Sequence, residues 1–270
     1  MFKFTAIMEK CQMKIISFGG GVQSTALAIL AATGKVDVDA IVFCDTGFEQ
    51  SIVFEFLQKH TLPMLEKSGI PFFIAKAEDY AGTLHGETTF GSFLLPPFFH
   101  GDGDSNAKSR LPAFCSSKWK KEVFNRFCAK QFNAKKYDVI MGFSTDEMHR
   151  AGRIKQTKKY SYKFPLLDLR MNRGDCVKLV QDTFSAPPPR SSCYFCPNHT
   201  QHEWREVMAG IDREKVIAID AKIRESLNEY LNNPEHRAFL TVECKPIADC
   251  DFDDKNEVIF SRLCAGGCFL

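Results

Sequence analysis

The sequence predicts an α/β fold in which helices cover a parallel sheet. Short apolar segments at 14–18, 38–44 and 70–76 have the length and composition of buried strands. Segments with a helical spacing of apolar residues follow the first two of them, at 22–32 and 49–67. Strands that alternate with helices in this way form βαβ units, and the strands of such units are parallel.

The pattern changes after the third strand. Residues 77–112 are rich in Gly, Phe and polar residues without periodicity, so we expect a long loop there, of the kind that is usually functional or mobile. The remaining predicted elements are a helix at 116–131, a strand at 137–144, a basic connection at 146–164, and helices at 173–183, 200–209 and 212–231.

The composition is that of an ordinary globular protein, with 44% hydrophobic and 25% charged residues. No apolar run approaches the roughly 20 residues that span a bilayer, so we expect no membrane partner. The first twelve residues lack the apolar core and the cleavage site of a signal peptide. The sequence therefore predicts a cytoplasmic protein, and it leaves the oligomeric state open, with a homodimer as one option.

Positive charge is concentrated in the middle of the chain. The net charge is +2, yet residues 101–163 carry 15 Lys and Arg against 6 Asp and Glu. Such a basic region suits a partner that bears phosphate, either a nucleotide or a nucleic acid such as tRNA or DNA. A merely solvated surface is the competing interpretation.

Three glycines, Gly19–Gly21, stand between the first strand and the first helix. Glycines allow backbone N–H groups to approach an anion, and the helix N-terminus adds unpaired donors and a positive dipole end. Ser24 and Thr25 add hydroxyl donors. The segment lacks the Gly-Lys-Ser/Thr of a Walker loop and the third glycine of a dinucleotide fingerprint. It predicts a phosphate-binding loop of another kind.

The stretch FGGGVQS (18–24) resembles the PP-loop of the adenine nucleotide alpha-hydrolase superfamily, which includes ATP pyrophosphatases and sulfonucleotide (PAPS) reductases. The fold that this resemblance implies is a HUP-like parallel sheet sandwiched by helices. Aligned at Ser24, the family glycines are Gly20 and Gly21, whereas Gly19 replaces a serine and Gln23 replaces an aspartate that helps to hold magnesium. A glutamine is a poor Mg²⁺ ligand, so the use of Mg²⁺ stays open.

The resemblance implies a site for an adenosine nucleotide, which could be ATP, AMP or PAPS. Two further stretches are similar to the family, VFCDTGFE (42–49) and GFSTDEMHR (142–150). Asp45, at the end of a parallel strand, would border the ribose or adenine, and Arg150 would contact phosphate. The residues implied to bind the nucleotide are Gly19, Gly20, Gly21, Gln23, Ser24, Thr25, Asp45 and Arg150.

Eleven cysteines are many for a cytosolic protein, and clustered cysteines there indicate metal or redox chemistry. Cys193 and Cys196 form a C-x-x-C pair, which can chelate a metal or a cluster or form a disulfide. Cys115 precedes that pair by 78 residues, a spacing similar to that of reductases with an iron–sulfur (4Fe–4S) cluster. The resemblance implies Cys115, Cys193 and Cys196 as cluster ligands, with Ser116 in place of a fourth cysteine.

Other interpretations of these cysteines stay open. Zinc is the main alternative metal, because His199 and His202 follow the C-x-x-C pair and offer imidazoles. A redox-active dithiol and simple packing are the others.

The tail sequence LCAGGCF contains Cys264 and Cys268. Family reductases carry a nucleophilic cysteine near the C-terminus, so the resemblance implies Cys268 or Cys264 as the catalytic thiolate. Either residue could instead be a metal ligand or a surface thiol.

The domain organisation follows from these motifs. We expect an N-terminal extension at 1–12, a nucleotide-binding α/β domain at 13–185, and a smaller cysteine-containing helical region at 186–270. The resemblance implies an oxidoreductase or transferase that uses a nucleotide and an iron–sulfur cluster for sulfonucleotide reduction or sulfur transfer. One alternative is ATP-dependent thiolation of tRNA or DNA, and another is a non-catalytic nucleotide- or nucleic-acid-binding protein with structural zinc.

Overall fold

The structure, a computed structural model, describes residues 10–80, 84–88, 91–101, 108–226 and 235–252. These residues form two compact units. The first contains the described residues of Met1–Tyr80 and Lys121–Ser191, and the second those of Ala81–Lys120 and Ser192–Leu270. The second unit thus includes residues 81–120 as well as the C-terminal part of the chain. The predicted boundary between residues 185 and 186 places all of 81–120 in the first domain instead.

The strands follow the predicted order, with additions. In chain order the described strands are β1 (Gln12–Phe18), β2 (Ala40–Asp45), β3 (Phe72–Lys76), β4 (His85–Thr88), β5 (Gly91–Leu94), β6 (Phe99–Gly101), β7 (Ser109–Arg110), β8 (Lys136–Met141), β9 (Tyr160–Lys163) and β10 (Arg237–Phe239).

The helices also lie close to their predicted positions. They are α1 (Val22–Ala32), α2 (Ser51–Phe56), α3 (Leu62–Ser68), α4 (Val123–Gln131), α5 (Met148–Ala151), α6 (Pro165–Asp168), α7 (Arg173–Phe184), α8 (Gln201–Ala209) and α9 (Arg213–Ser226). A π-helical segment, Leu57–Thr61, joins α2 to α3, and another, Ser116–Glu122, leads into α4.

The first unit is built on a parallel sheet with the strand order β3-β2-β1-β8-β9. Ser17 of β1 is in register with Val42 of β2 on one side and with Met141 of β8 on the other. The predicted α/β class with a parallel sheet is confirmed. β2 is buried along nearly its whole length, as expected for a strand that is covered on both faces.

Helices cover the two faces of this sheet. On one face α1 packs against α7 and α3, over a core that includes Ile16, Ile41 and Phe43. On the other face α4 packs against β2 and β3, where Phe132 meets Phe73 edge-on at 5.3 Å between ring centroids. The sheet therefore has a buried apolar layer on each face. Polar residues that could bind a ligand lie instead at the ends of its strands.

Two expectations are wrong. The segment 77–112 is not one long loop, because it contains β4 to β7, strands of two to four residues too short for alternation to be recognised. The basic connection 146–164 contains β9, which pairs in parallel with β8 from Tyr137↔Tyr160 to Ile140↔Lys163. A strand rich in Tyr and Lys is acceptable there because β9 is at the edge of the sheet.

The described residues of the second unit form two small sheets and the helices α8 and α9. β10, β6 and β7 form an antiparallel sheet in that order, and β4 pairs with β5, also antiparallel. Thr200 begins α8 with a capping box, since its hydroxyl accepts from the Glu203 N–H at 3.3 Å and the Glu203 carboxylate accepts from the Thr200 N–H at 2.8 Å. Among the described helices, none is long and apolar enough to cross a membrane.

Candidate functional site

The strand order of the first unit creates a switch point at β1. The chain passes from β1 to β2 on one side, and β8 lies on the other side. Open α/β sheets bind ligands outside the carboxyl ends of their strands at such a point. The residues that follow β1 are Gly19–Gly21, so the predicted glycine loop lies at the position that the topology favours.

Glycine is required at two positions of this neighbourhood. Gly20 has φ +78, and a Cβ there would lie 2.6 Å from Cγ1 of Val53 in α2. Gly142, which follows β8, would place a Cβ 3.0 Å from the backbone of Gln23 and Ser24. The ends of β1 and β8 thus approach the start of α1 more closely than a side chain would allow.

The hydroxyl of Ser24 is used within the loop. It accepts from the Gly21 N–H at 3.1 Å and donates to the Gly21 carbonyl at 3.0 Å, which fixes the entry to α1. The hydroxyl of Thr25 is different, because it is buried and has no hydrogen-bond partner among the described residues. Burying a hydroxyl without a hydrogen-bond partner costs free energy. A ligand that accepts a hydrogen bond from Thr25 would remove that cost.

Ser191 and Glu49 lie against the glycine loop, although neither residue was predicted as part of the site. The Ser191 hydroxyl donates to the Gly19 carbonyl, and its Oγ is 3.5 Å from a carboxylate oxygen of the buried Glu49. A Cβ on Gly21 would lie 3.1 Å from Cβ of Ser191. Glu49 ends the quoted VFCDTGFE stretch, but nothing in that stretch distinguishes it from an ordinary surface acid.

Asp45 lies at the carboxyl end of β2, as predicted, and closes a local turn. Its Oδ1 accepts from the Gly47 N–H at 2.8 Å. The next helix begins at Ser51, so Asp45 is not its N-cap. One carboxylate oxygen of Asp45 is therefore committed to the backbone.

Gln23, which stands where the resembled family has aspartate, connects two charged groups. Its Nε2 donates to Glu147 at 3.0 Å, and its Oε1 accepts from the Arg173 guanidinium at 3.1 Å. Glu147 also forms an ion pair with Arg150. We call Gln23, Glu147, Arg150 and Arg173 the glutamine network, and it lies beside the switch point.

Arg150 is held within this network from two sides. Its guanidinium pairs with Glu147 and lies 4.6 Å from the ring centroid of Phe143. Near it, Asp146 accepts from the backbone N–H of Arg173 at 2.6 Å, and this bond is the main cause that holds the pKa of Asp146 below its usual value. Arg150 thus shares Glu147 with Gln23. Its contact with phosphate stays a prediction.

The second unit contains the three cysteines predicted as metal ligands. The Cys115 N–H donates to the Leu95 carbonyl at 2.9 Å, and the Cys196 N–H closes the C-x-x-C turn on the Cys193 carbonyl at 3.0 Å. Phe195, inside that turn, packs on Phe98 at 6.0 Å between ring centroids. One short segment, Leu95–Phe98, thus contacts both cysteine-bearing stretches.

Within the described residues, no three His, Cys, Asp or Glu side chains come together to hold a metal ion. His199 is buried, edge-on to Trp204 at 4.6 Å between ring centroids, and its Nε2 is 3.0 Å from the Ser192 hydroxyl. His202 is exposed and pairs with Glu206 at 3.6 Å. The two histidines therefore have separate surroundings, and the zinc alternative stays open.

The predicted catalytic thiols, Cys264 and Cys268, lie outside the described residues. Their role stays a prediction from the sequence.

The fold and the site together define an α/β protein with a glycine-rich loop at the switch point of a parallel sheet. No family model matches the chain, and no curated protein matches it. Among solved structures, the chain is similar to the U34-tRNA thiolase NcsA from Methanococcus maripaludis with its 4Fe–4S cluster, with a TM-score of 0.43 and 12% identity. That match covers 85% of this chain and 69% of the other. The fold class rests on the strand order itself and not on this match.

Proposed function

We propose that the chain is an enzyme of sulfur chemistry that binds the phosphates of an adenosine nucleotide at the glycine loop. The observation that carries this proposal is the position of Gly19–Gly21 between β1 and α1, at the switch point of the sheet. An anion at this position would meet the unpaired N–H groups of the first turn of α1 and the positive end of its dipole.

The surroundings of the loop support an anionic ligand. The buried Thr25 hydroxyl has no acceptor among the described residues, and a phosphate oxygen would supply one. Arg150 and Arg173 bring two guanidinium groups to the side of β8. Asp45 keeps one carboxylate oxygen that could accept from a ribose hydroxyl.

The cysteines support a sulfur-handling role. Cys115, Cys193 and Cys196 are all partly exposed, all lie in the second unit, and flank the same segment, Leu95–Phe98. Thiolates suit iron–sulfur clusters. Cys115, Cys193 and Cys196 would have to come closer together to hold one, since no three such side chains among the described residues form a metal-binding group. When bound, the cluster would supply sulfur or electrons to the reaction.

Of the two reactions that use these parts, we favour sulfur transfer to a nucleic acid. The acceptor oxygen would attack the α-phosphate of ATP and release pyrophosphate. Sulfide from an external donor would then attack the activated carbon, and AMP would leave with the original oxygen. Exposed basic residues of the first unit support a nucleic-acid acceptor. The second candidate is sulfonucleotide reduction, which Gln23 favours, because the glutamine removes a carboxylate that could bind Mg²⁺ beside a triphosphate.

A pair of threonine variants tests nucleotide binding. Thr25→Val removes the buried hydroxyl, and we expect at least a tenfold loss of ATP or AMP affinity by calorimetry, the size of one hydrogen bond to a charged group. Thr61→Val is the matched control, since Thr61 is also fully buried and its hydroxyl also lacks a partner among the described residues. Unchanged affinity in Thr25→Val, or an equal loss in Thr61→Val, would contradict the proposed phosphate site.

Metal content tests the cysteine assignment. Anaerobically purified protein should contain iron and acid-labile sulfide, and Cys193→Ser or Cys196→Ser should lose both. Cys11→Ser, at an exposed position, is the control that should keep them. Zinc without sulfide would refute the cluster.

The products separate the two reactions. Pyrophosphate release from ATP that depends on added RNA or DNA indicates modification of the nucleic acid. Sulfite release from a sulfonucleotide with a thiol reductant indicates reduction. If neither product forms with cluster-loaded protein, the proposed function is wrong.

A further inference from the structure

The edge strand β9 and the connection before it carry an unusual charge. Residues 148–167 contain six Lys and Arg and no Asp or Glu. Five of these basic residues lie between 153 and 163, and all five are exposed: Arg153, Lys155, Lys158, Lys159 and Lys163. We call residues 153–163 the β9 edge.

Three of these lysines, Lys155, Lys158 and Lys163, do not stabilise the fold through ion pairs. In the described part of the chain, no acidic side chain pairs with Lys155, Lys158 or Lys163. Lys159 lies above the stacked rings of Tyr137 and Tyr160, at 5.7 and 5.9 Å from their centroids. The β9 edge therefore presents several unneutralised positive charges to solvent.

The edge is also closed to strand addition. The Tyr162 N–H donates to the Gln156 side chain at 2.7 Å, and the Tyr160 N–H donates to the Thr157 hydroxyl at 2.9 Å. The Thr157 N–H in turn donates to the Tyr160 carbonyl at 2.9 Å. Lysines on edge strands often serve to prevent pairing with another sheet. Here Gln156 and Thr157 already occupy the free backbone groups, so the lysines are not needed for that purpose.

The chemistry of the β9 edge fits a polyanion with flat groups. Over β9 the charges extend along a strand that rises about 3.3 Å per residue, or roughly 13 Å from Lys159 to Lys163. Half-buried Tyr160 and Tyr162 lie between Lys159 and Lys163 along the chain. One face of Tyr160 is stacked on Tyr137, so Tyr162 is the residue that offers an aromatic surface for a base. No large hydrophobic residue of the β9 edge is exposed, whereas a membrane-binding segment would need some to insert.

We infer that the β9 edge binds the phosphate backbone of a nucleic acid, and that it is the docking surface for the sulfur acceptor. This inference rests on the proposed function for the identity of the acceptor. The surface lies within the first unit and uses none of the residues proposed to bind the nucleotide.

Salt-dependent binding of a labelled single-stranded RNA, followed by fluorescence anisotropy with the full chain, tests this. Each phosphate contact to a single strand contributes about −0.7 to the slope of log K against log salt. The triple variant Lys155→Gln, Lys158→Gln, Lys163→Gln should flatten the slope by about 2. When salt rises from 50 to 200 mM, the wild type should therefore lose about 20-fold more affinity than the triple variant loses.

The control variant removes the same charge elsewhere on the first unit. Its three positions are exposed and without ion pairs among the described residues: Lys35→Gln, Lys59→Gln and Lys178→Gln. It should keep the wild-type slope within experimental error. Equal flattening in both triple variants would show a diffuse charge effect and overturn the inference, as would an unchanged slope in the first.

Two further measurements separate this inference from the proposed function. ATP affinity should be the same in both triple variants and the wild type. If ATP binds but wild-type RNA binding is absent at 50 mM salt, the docking surface is refuted while the nucleotide site stands. Binding to anionic phosphatidylserine vesicles that the β9-edge variant abolishes, without RNA binding, would also refute it.

Discussion

Replacing Gly20 by alanine tests whether the glycine loop is fixed by a close approach to α2. A left-handed residue with a side chain costs about 1–2 kcal/mol, and Gly20 has φ +78. The new Cβ would lie 2.6 Å from Cγ1 of the buried Val53, and overpacking of this kind costs about 1–3 kcal/mol. The expected loss in the free energy of unfolding is therefore about 2–5 kcal/mol.

Gly69 provides the matched control. It has φ +71, but a Cβ there meets nothing within 4 Å, so Gly69→Ala should show the backbone cost alone. Urea titration followed by far-UV circular dichroism measures both variants. The difference between them, about 1–3 kcal/mol, isolates the contact with Val53.

A double variant tests the contact with Val53 directly. Val53→Ala removes the Cγ1 atom that the new methyl group would meet, so it should cost less in the Gly20→Ala background than in the wild type. A coupling energy of at least 0.5 kcal/mol is expected. Equal losses in Gly20→Ala and Gly69→Ala, or strict additivity with Val53→Ala, would show that the loop is not packed in this way.

Three other perturbations follow from the geometry. Gln23→Ala should lower the free energy of unfolding by about 1–2 kcal/mol and couple to Glu147→Gln in a double-mutant cycle, and additive effects would contradict the bridge between them. Burial, and secondarily His236 with its Nδ1 3.1 Å away, lowers the pKa of His100. Stability should therefore fall as pH drops below about 6.5, where the unfolded chain takes up the proton first. NMR titration should show a higher His100 pKa in His236→Asn, and an unchanged value would refute the pairing. Asp220→Asn should cost about 3–5 kcal/mol in urea unfolding, because Asp220 is 1% exposed and paired with an arginine one helical turn away, and a loss below 1 kcal/mol would refute that role.

The parallel sheet of the first unit could be predicted because its strands are short, buried on both faces and separated by helices. β2 is the clearest case, since its short run of apolar residues ending in Asp45 is typical of a buried strand. The glycine loop was predictable for the same local reason, because only glycine tolerates the backbone of Gly20. Strands β4 to β7 and β9 were not predictable, since two to four residues carry too little periodicity.

The site shows the same division between local and distant information. The glycine loop, the helix that follows it, and the spacing of Cys115, Cys193 and Cys196 could be predicted from neighbouring residues alone. Two contacts required the folded chain: Ser191 lies against Gly21, and Gln23 joins Glu147 to Arg173, residues 124 and 150 positions away in the chain. Turns and helices follow from nearby residues through backbone sterics. Contacts between distant side chains depend on strand order, which local sequence does not encode.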